Sequence, residues 1–290
     1  MSTYTKTRNI LNKYDLKANK RFGQNFLIDD NILNRIVDVS NITNEDFVIE
    51  IGPGLGNLTE YLLKKAKHVL LVEIDRNMIE VINDRFKEFN NYTLVNNDIL
   101  KLDIDSKIKE IENDSNQKFS GVKVVANLPY YITTPIIFKL LQDENKIQTI
   151  TVMVQKEVAE RMVANKGGKD YGILTLMVKF LSNANIEFTV PKEAFIPAPN
   201  VTSTIITLKK QKRYVVKNEK IYMSLVHSSF AKRRKTLINS LTSTNFNNLD
   251  KESITNILAS LGIDQNIRAE QLDIEDFIKI ADYIEEKMNK

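Results

Sequence analysis

The apolar residues of this chain follow two rhythms. Over the first two thirds, short unbroken apolar runs alternate with stretches in which apolar positions recur every three or four residues. The runs Phe47–Ile51, His68–Val72, Tyr92–Val95, Val122–Ala126 and Thr149–Val154 are rich in β-branched and aromatic types and predict buried strands. Leu58, Leu62 and Leu63 open one helical face between them, and Met78, Ile79, Ile82 and Phe86 form another. A helix is also expected over Ile32, Leu33, Ile36 and Val37, capped by Asp29 or Asp30. Lys101 to Gly121 is polar and reads as a helix and surface loop. Pro135 starts a short helix through Leu141, and further helices hold Val158, Arg161 and Met162, then Thr175–Leu181. Ile186–Val190 and Thr202–Leu208 complete the strands. This alternation predicts an α/β fold with a doubly wound, mainly parallel seven-stranded sheet, the last two strands forming an antiparallel edge.

The grammar changes near Lys210. Ile221–Ala231, Arg233–Leu241, Ser253–Leu261 and Ile274–Met288 read as helices with no strand between them. Gly262 is placed to end the third, and Asp273 with Asp276 to cap the fourth. The expected division is a basic N-terminal arm and helix (1–46), the sheet domain (47–209) and a smaller all-α domain (210–290).

Charge adds a partner to this picture. The net charge is only +4, but it is segregated. Residues 1–24 hold Lys6, Arg8, Lys13, Lys17, Lys20 and Arg21 against Asp15 alone, and residues 209–235 hold ten Lys or Arg against Glu219 alone. Two basic segments on an otherwise acidic chain suggest a polyanion, with Lys20, Arg21, Lys232, Arg233, Arg234 and Lys235 as candidate contacts. The absence of cysteine excludes disulfides and thiolate metal sites, and two histidines cannot build a histidine-rich one. No apolar run reaches the length of a membrane span, and Met1 to Lys20 lacks the apolar core of a secretory signal. A cytoplasmic protein without a metal is expected.

The densest chemistry follows the first strand. Gly52, Gly54 and Gly56 form a turn in which the backbone bends sharply and approaches a ligand, and the next helix would offer free N–H groups. The spacing is Gly-x-Gly-x-Gly, with Asn57 where a dinucleotide fingerprint needs its third glycine. It resembles motif I of the S-adenosylmethionine-dependent methyltransferases. Ligands of open α/β sheets bind at the carboxyl ends of strands, here marked by Gly52, Glu73, Asp98 and Asn127. Glu73 suits two ribose hydroxyls and Asp98 an adenine amino group. Asn127-Leu128-Pro129-Tyr130 is of the type found in methyltransferases acting on exocyclic amines of nucleobases. The Asn127 oxygen and the Leu128 carbonyl can hold the two amine hydrogens and localise the nitrogen lone pair. Pro129 has no competing N–H, and Tyr130 offers a face to an extruded base.

Taken together, the chain resembles the ribosomal RNA adenine dimethyltransferase family, most closely its small-subunit branch. The resemblance rests on Phe22–Leu27, Glu50–Gly56, Glu73–Asp75, Asn97–Asp98, Asn127–Tyr130, Gln155–Val158, Phe195–Val201 and Phe230–Leu237, in the family's order. It implies a Rossmann-like methyltransferase domain holding S-adenosylmethionine through Gln24, Asn25, Leu27, Gly52, Gly54, Glu73, Ile74, Asp98, Ile99 and Asn127. It implies two methyl transfers to each of two adjacent adenines near the 3′ end of 16S rRNA in the immature small subunit, by a monomer. It also implies that Phe195 stacks on the base opposite Tyr130, and that transfer is direct in-line attack of the amine. Tyr131 stands where many relatives have asparagine, which bears on how the flanking nucleotide is held. The rival readings are the large-subunit resistance branch, a non-catalytic RNA-binding relative and a nicotinamide-dependent dehydrogenase.

Overall fold

Asp46–Ile51 and His68–Glu73 are buried at every residue, as strands covered on both faces must be. They are the centre of a sheet in the computed structural model, which describes residues 1–19, 22–142, 146–232 and 234–288. In chain order the elements are α1 (Thr3–Lys13), β1 (Phe26–Leu27), α2 (Asp30–Val39), β2 (Asp46–Ile51), α3 (Thr59–Lys65), β3 (His68–Glu73), α4 (Arg76–Phe86), β4 (Tyr92–Asn96) and α5 (Ile104–Ser115). There follow β5 (Gly121–Asn127), α6 (Thr133–Gln142), β6 (Ile147–Gln155), α7 (Lys156–Met162), α8 (Ile173–Leu181), β7 (Ser182–Val190), β8 (Phe195–Ile196) and β9 (Ser203–Lys210). The last helices are α9 (Glu219–Ser229), α10 (Leu237–Ser243), α11 (Lys251–Ser260) and α12 (Ile274–Met288).

The seven-stranded sheet has the order β4-β3-β2-β5-β6-β9-β7. β4, β3, β2, β5 and β6 are parallel, and β9 joins β6 antiparallel. The chain winds outward from β2 through β3 to β4, then crosses back to β5 on the other side of β2. That reversal opens a crevice beyond the carboxyl ends of β2 and β5, the place where open α/β sheets bind ligands. Helix caps follow from local chemistry. Asp29, not Asp30, caps α2, accepting from the N–H groups of Asn31 (2.9 Å) and Ile32 (3.1 Å), and Asp75 caps α4.

The chain divides into two compact units, one of residues 1–159 and 184–210, the other of 160–183 and 211–290. Residues 160–183, expected with the sheet, pack instead with the C-terminal helices. α8 is buried along most of its length. Its Phe180 ring stacks on Tyr222 of α9 at 4.4 Å, inside a core shared with Leu225, Phe277 and Ile280. Gly262 follows α11 with φ +67°. Asp273 and Asp276 form the reciprocal cap of α12, each side chain accepting from the other's backbone N–H.

Two further elements join the sheet unit. β1 and β8 pair antiparallel, Leu27 opposite Phe195. α1 buries Thr3 and Thr7, four apart on one face, and Thr3 hydrogen-bonds to Asp30. Among the described residues no helix is long and apolar enough to cross a membrane.

Candidate active site

The turn after β2 takes the left-handed backbone its glycines allow, with φ of +65°, +56° and +80° at Gly52, Gly54 and Gly56. A Cβ at Gly56 would lie 2.5 Å from the Phe86 ring, so only glycine fits there without a shift. Two groups lock the turn. Glu73, at the end of β3, accepts from the N–H of Gly54 (3.0 Å) and of Asp75 (2.8 Å). Asn57 donates through Nδ2 to the Thr7 hydroxyl and to the Leu27 carbonyl, both at 2.8 Å, and accepts from Arg85 at 3.2 Å. Arg85 also donates to the Leu55 carbonyl.

A cleft of about 1040 Å³, partly open to solvent, lies over this turn. Gln24, Asn25, Leu27, Gly52, Gly54, Glu73, Ile74, Asp98, Ile99 and Asn127 all line it, as do Leu128, Pro129 and Tyr130. Residues 22–27 form one wall and are tied to the strand ends. Gln24 donates to Asp75 (2.8 Å) and accepts from the N–H of Asn19 (2.8 Å). Asn127 donates through Nδ2 to the Asn25 carbonyl at 3.1 Å. With its nitrogen turned to Asn25, the Asn127 amide presents Oδ1 as an acceptor that takes no hydrogen bond from the described residues. The Leu128 N–H donates to Met153 (3.2 Å) while its side chain is buried, and its carbonyl accepts from no described residue. The Tyr130 hydroxyl is bonded to the Ser203 hydroxyl on β9 at 2.6 Å.

Electrostatics in the cleft are set by buried acids. Burial pushes the Glu73 carboxyl above the usual carboxylate range, and the Asp75 and Gly54 N–H groups draw part of that back. Glu50, at the penultimate position of β2, is pushed up to about 8 by burial, against a 2.6 Å hydrogen bond donated by Thr59; the neighbouring Glu73 raises it further. Asp98 accepts from the Leu100 N–H at 3.0 Å.

Comparison with known proteins places this arrangement. The family model of the ribosomal RNA adenine dimethylases matches residues 15–286. A protein of Lachnoclostridium phytofermentans named ribosomal RNA small subunit methyltransferase A is 46% identical over 285 residues, covering 97% of each chain. The chain belongs to the ribosomal RNA adenine dimethylase family. Among solved structures, a dimethyladenosine transferase from Plasmodium falciparum superposes with a TM-score of 0.72 at 30% identity, covering 88% of this chain and 95% of that one. The 23S rRNA methyltransferase ErmE gives 0.62 at 23% identity, covering 90% and 100%, a likeness of fold alone. The names of the more similar relatives put this dimethylase in the small-subunit branch, and make it an rRNA adenine methyltransferase.

Within the dimethylase cleft one expected residue is missing. Phe195 is 3% exposed and is not among the lining residues. As part of β8 opposite Leu27, its ring joins the core of Leu33, Val125 and Met153. Buried there, it offers no open face to a base. Of the basic candidates, Lys232, Arg234 and Lys235 are exposed, and Lys20, Arg21 and Arg233 lie outside the described residues. In the N-terminal segment, Lys6 and Lys13 are engaged by Glu60 and Asp84.

The sequence reading passed over Glu50, Ser203 and the structural task of Asn57. A carboxylate within an otherwise apolar buried strand was the available signal for Glu50. Nothing local marks Ser203, whose partner lies 73 residues away.

Proposed function

We propose that this cleft binds S-adenosylmethionine and methylates the exocyclic amines of two adjacent adenines near the 3′ end of 16S rRNA, twice each, in the immature small subunit. The observation that carries the reading is the Asn127 amide, whose nitrogen is held by the Asn25 carbonyl while its oxygen, at the end of β5, accepts from no described residue. The cleft suits the donor. A Cβ at Gly52 would meet no atom within 4 Å, so the turn borders open space. Glu73 retains lone pairs for ribose hydroxyls beyond its two backbone bonds. Ile74 and Ile99 are apolar walls for a purine, and the carboxylate of Asp98 with the acid Glu73 favours a cationic ligand.

When bound, the donor supplies a methyl group on a sulfonium, ready for displacement. The residues around it prepare the amine. In the first transfer Asn127 Oδ1 and the Leu128 carbonyl each accept one amine hydrogen, and in the second the single remaining N–H is held by one of them, which draws nitrogen toward a pyramidal geometry with a localised lone pair. As nitrogen takes on positive charge these acceptor bonds strengthen, so they act on the transition state more than on binding. The proton released afterwards goes to solvent. Pro129 keeps the turn clear of a competing N–H, and Ser203 holds the Tyr130 ring as a wall. Lys232, Arg234 and Lys235 contact the phosphate backbone.

Mass mapping of methylated adenines in both rRNAs, after incubation of ribosomal subunits with donor, tests this. Dimethylated adjacent adenines near the 3′ end of the small-subunit RNA are expected. A single modified adenine in the large-subunit RNA would transfer the chain to the resistance-type activity.

A further inference from the structure

Tyr130 and Tyr131 are consecutive in a single 3₁₀ turn, Tyr130–Ile132, after Pro129. Three residues per turn set their side chains about 120° apart, and the two rings meet different surroundings. Tyr130 is half-buried and its hydroxyl is committed to Ser203. Tyr131 also lines the cleft, yet it is 58% exposed, and its hydroxyl bonds to none of the described residues. The wall loop backs it, since a Cβ at Gly23 would lie 3.6 Å from Tyr131 Cδ1. A propped, outward aromatic ring beside the catalytic turn is an open stacking surface. The buried Phe195 offers no such face.

We infer that Tyr131 is the stacking platform for the nucleotide flanking the target adenine, so the mouth of the cleft holds two bases of one strand on two consecutive tyrosines. This rests on the reading of the cleft as an adenine methylation site. The charge pattern says which part of the nucleotide is held. Among the described residues the cleft is lined by Asp98, by the buried acids Glu50 and Glu73 and by no lysine or arginine, so this lining offers no cation to a phosphate and suits a base. Unpaired RNA is held in this manner, by bases splayed onto aromatic faces. The assignment gives Tyr131 a part in choosing where on the strand the enzyme settles, separate from the transfer step.

The test is steady-state transfer to small ribosomal subunits lacking these methyl groups, with the parent, Tyr131→Ala, Tyr131→Leu and Tyr131→Phe. Base–aromatic stacking corresponds to about 5- to 150-fold in affinity. Tyr131→Ala and Tyr131→Leu should raise KM for the particle within that range, with kcat and donor affinity unchanged, and Tyr131→Phe should keep the parental KM. A parental KM for Tyr131→Ala, or full recovery with leucine, would reduce the ring to surface filling and overturn the inference. The methylation reading would survive that result, because the parent still transfers. A parent that methylates no small-subunit adenine would overturn both.

Discussion

Replacing Asn127 with alanine removes two interactions of different kinds, and the structure allows each to be sized. The first is the 3.1 Å bond from Nδ2 to the Asn25 carbonyl, a half-buried neutral bond worth about 0.5–1.5 kcal/mol. Its loss loosens the 22–27 wall in every state of the enzyme. The second forms only with the amine and strengthens as nitrogen becomes positive. Single preorganised groups of that kind contribute on the order of 10²–10³ in rate, about 2.7–4 kcal/mol. The transition-state loss is therefore the larger, and Asn127→Ala should slow single-turnover transfer by on the order of 10²–10³. Donor affinity should fall no more than about tenfold, the size of the lost wall bond. Asn127→Asp sharpens the comparison. It keeps an oxygen toward the amine but sets another against the Asn25 carbonyl, so it should lose donor affinity more than alanine does. The assay is rapid-quench transfer at saturating donor, with calorimetry for donor binding. Transfer by Asn127→Ala at the parental rate would make Asn127 a turn residue and refute the mechanism.

Glu73→Gln should weaken donor binding by about 1.5–3 kcal/mol, the range for bonds to a charged group; unchanged affinity by calorimetry would move the ribose site elsewhere. Glu50 predicts a pH effect on folding. A carboxyl raised from 4.5 to about 8 in the folded state favours folding fully below pH 4.5 and gives up that contribution as pH rises through 8. Urea midpoints of the parent should therefore fall across that window. Glu50→Gln, which still accepts from Thr59, should flatten the fall, and an equal slope in both proteins would count against a buried neutral Glu50. Neutralising Lys232, Arg234 and Lys235 should lower the log–log salt slope of RNA binding by about 0.7–0.9 per lost phosphate contact with donor affinity unchanged; an unaltered slope would make the cluster a solvated face.

The residues that the amino-acid sequence placed well are those whose position is dictated by local physics. Parallel strands covered on both faces must be unbroken apolar runs, so β2, β3 and β5 stood out. Three glycines in five residues after such a strand announce a left-handed turn, and Glu73, Asp98 and Asn127 follow strand ends by simple counting. What escaped depends on distant partners. α1 carries only a short apolar stripe, Ile10 and Leu11 packed against Phe26 and Met78, and its fully buried positions are Thr3 and Thr7, which hydrogen-bond to Asp30 and Asn57. Phe195 reads as a free aromatic, yet its ring is buried with Leu33, Val125 and Met153, residues far from it in the chain. Residues 160–183 looked like a continuation of the sheet region because an apolar helix does not announce which core it joins. The core it joins, where Phe180 stacks on Tyr222, is built with residues far apart in the chain.

The anchoring of α1 also constrains the order in which the protein can be completed during synthesis. Its contacts reach forward along the chain by 27 residues to Asp30, 50 to Asn57, 54 to Glu60 and 71 to Asp84. An isolated helix of 11 residues is marginal in water, so α1 leaves the ribosome well before anything exists to hold it. Translation at roughly 5–20 residues per second leaves this segment waiting for several seconds. Its docking then fastens Thr7 to Asn57 and, through Asn57, the Leu27 carbonyl of the wall. One wall of the cleft is thus fastened by the segment that emerged before it.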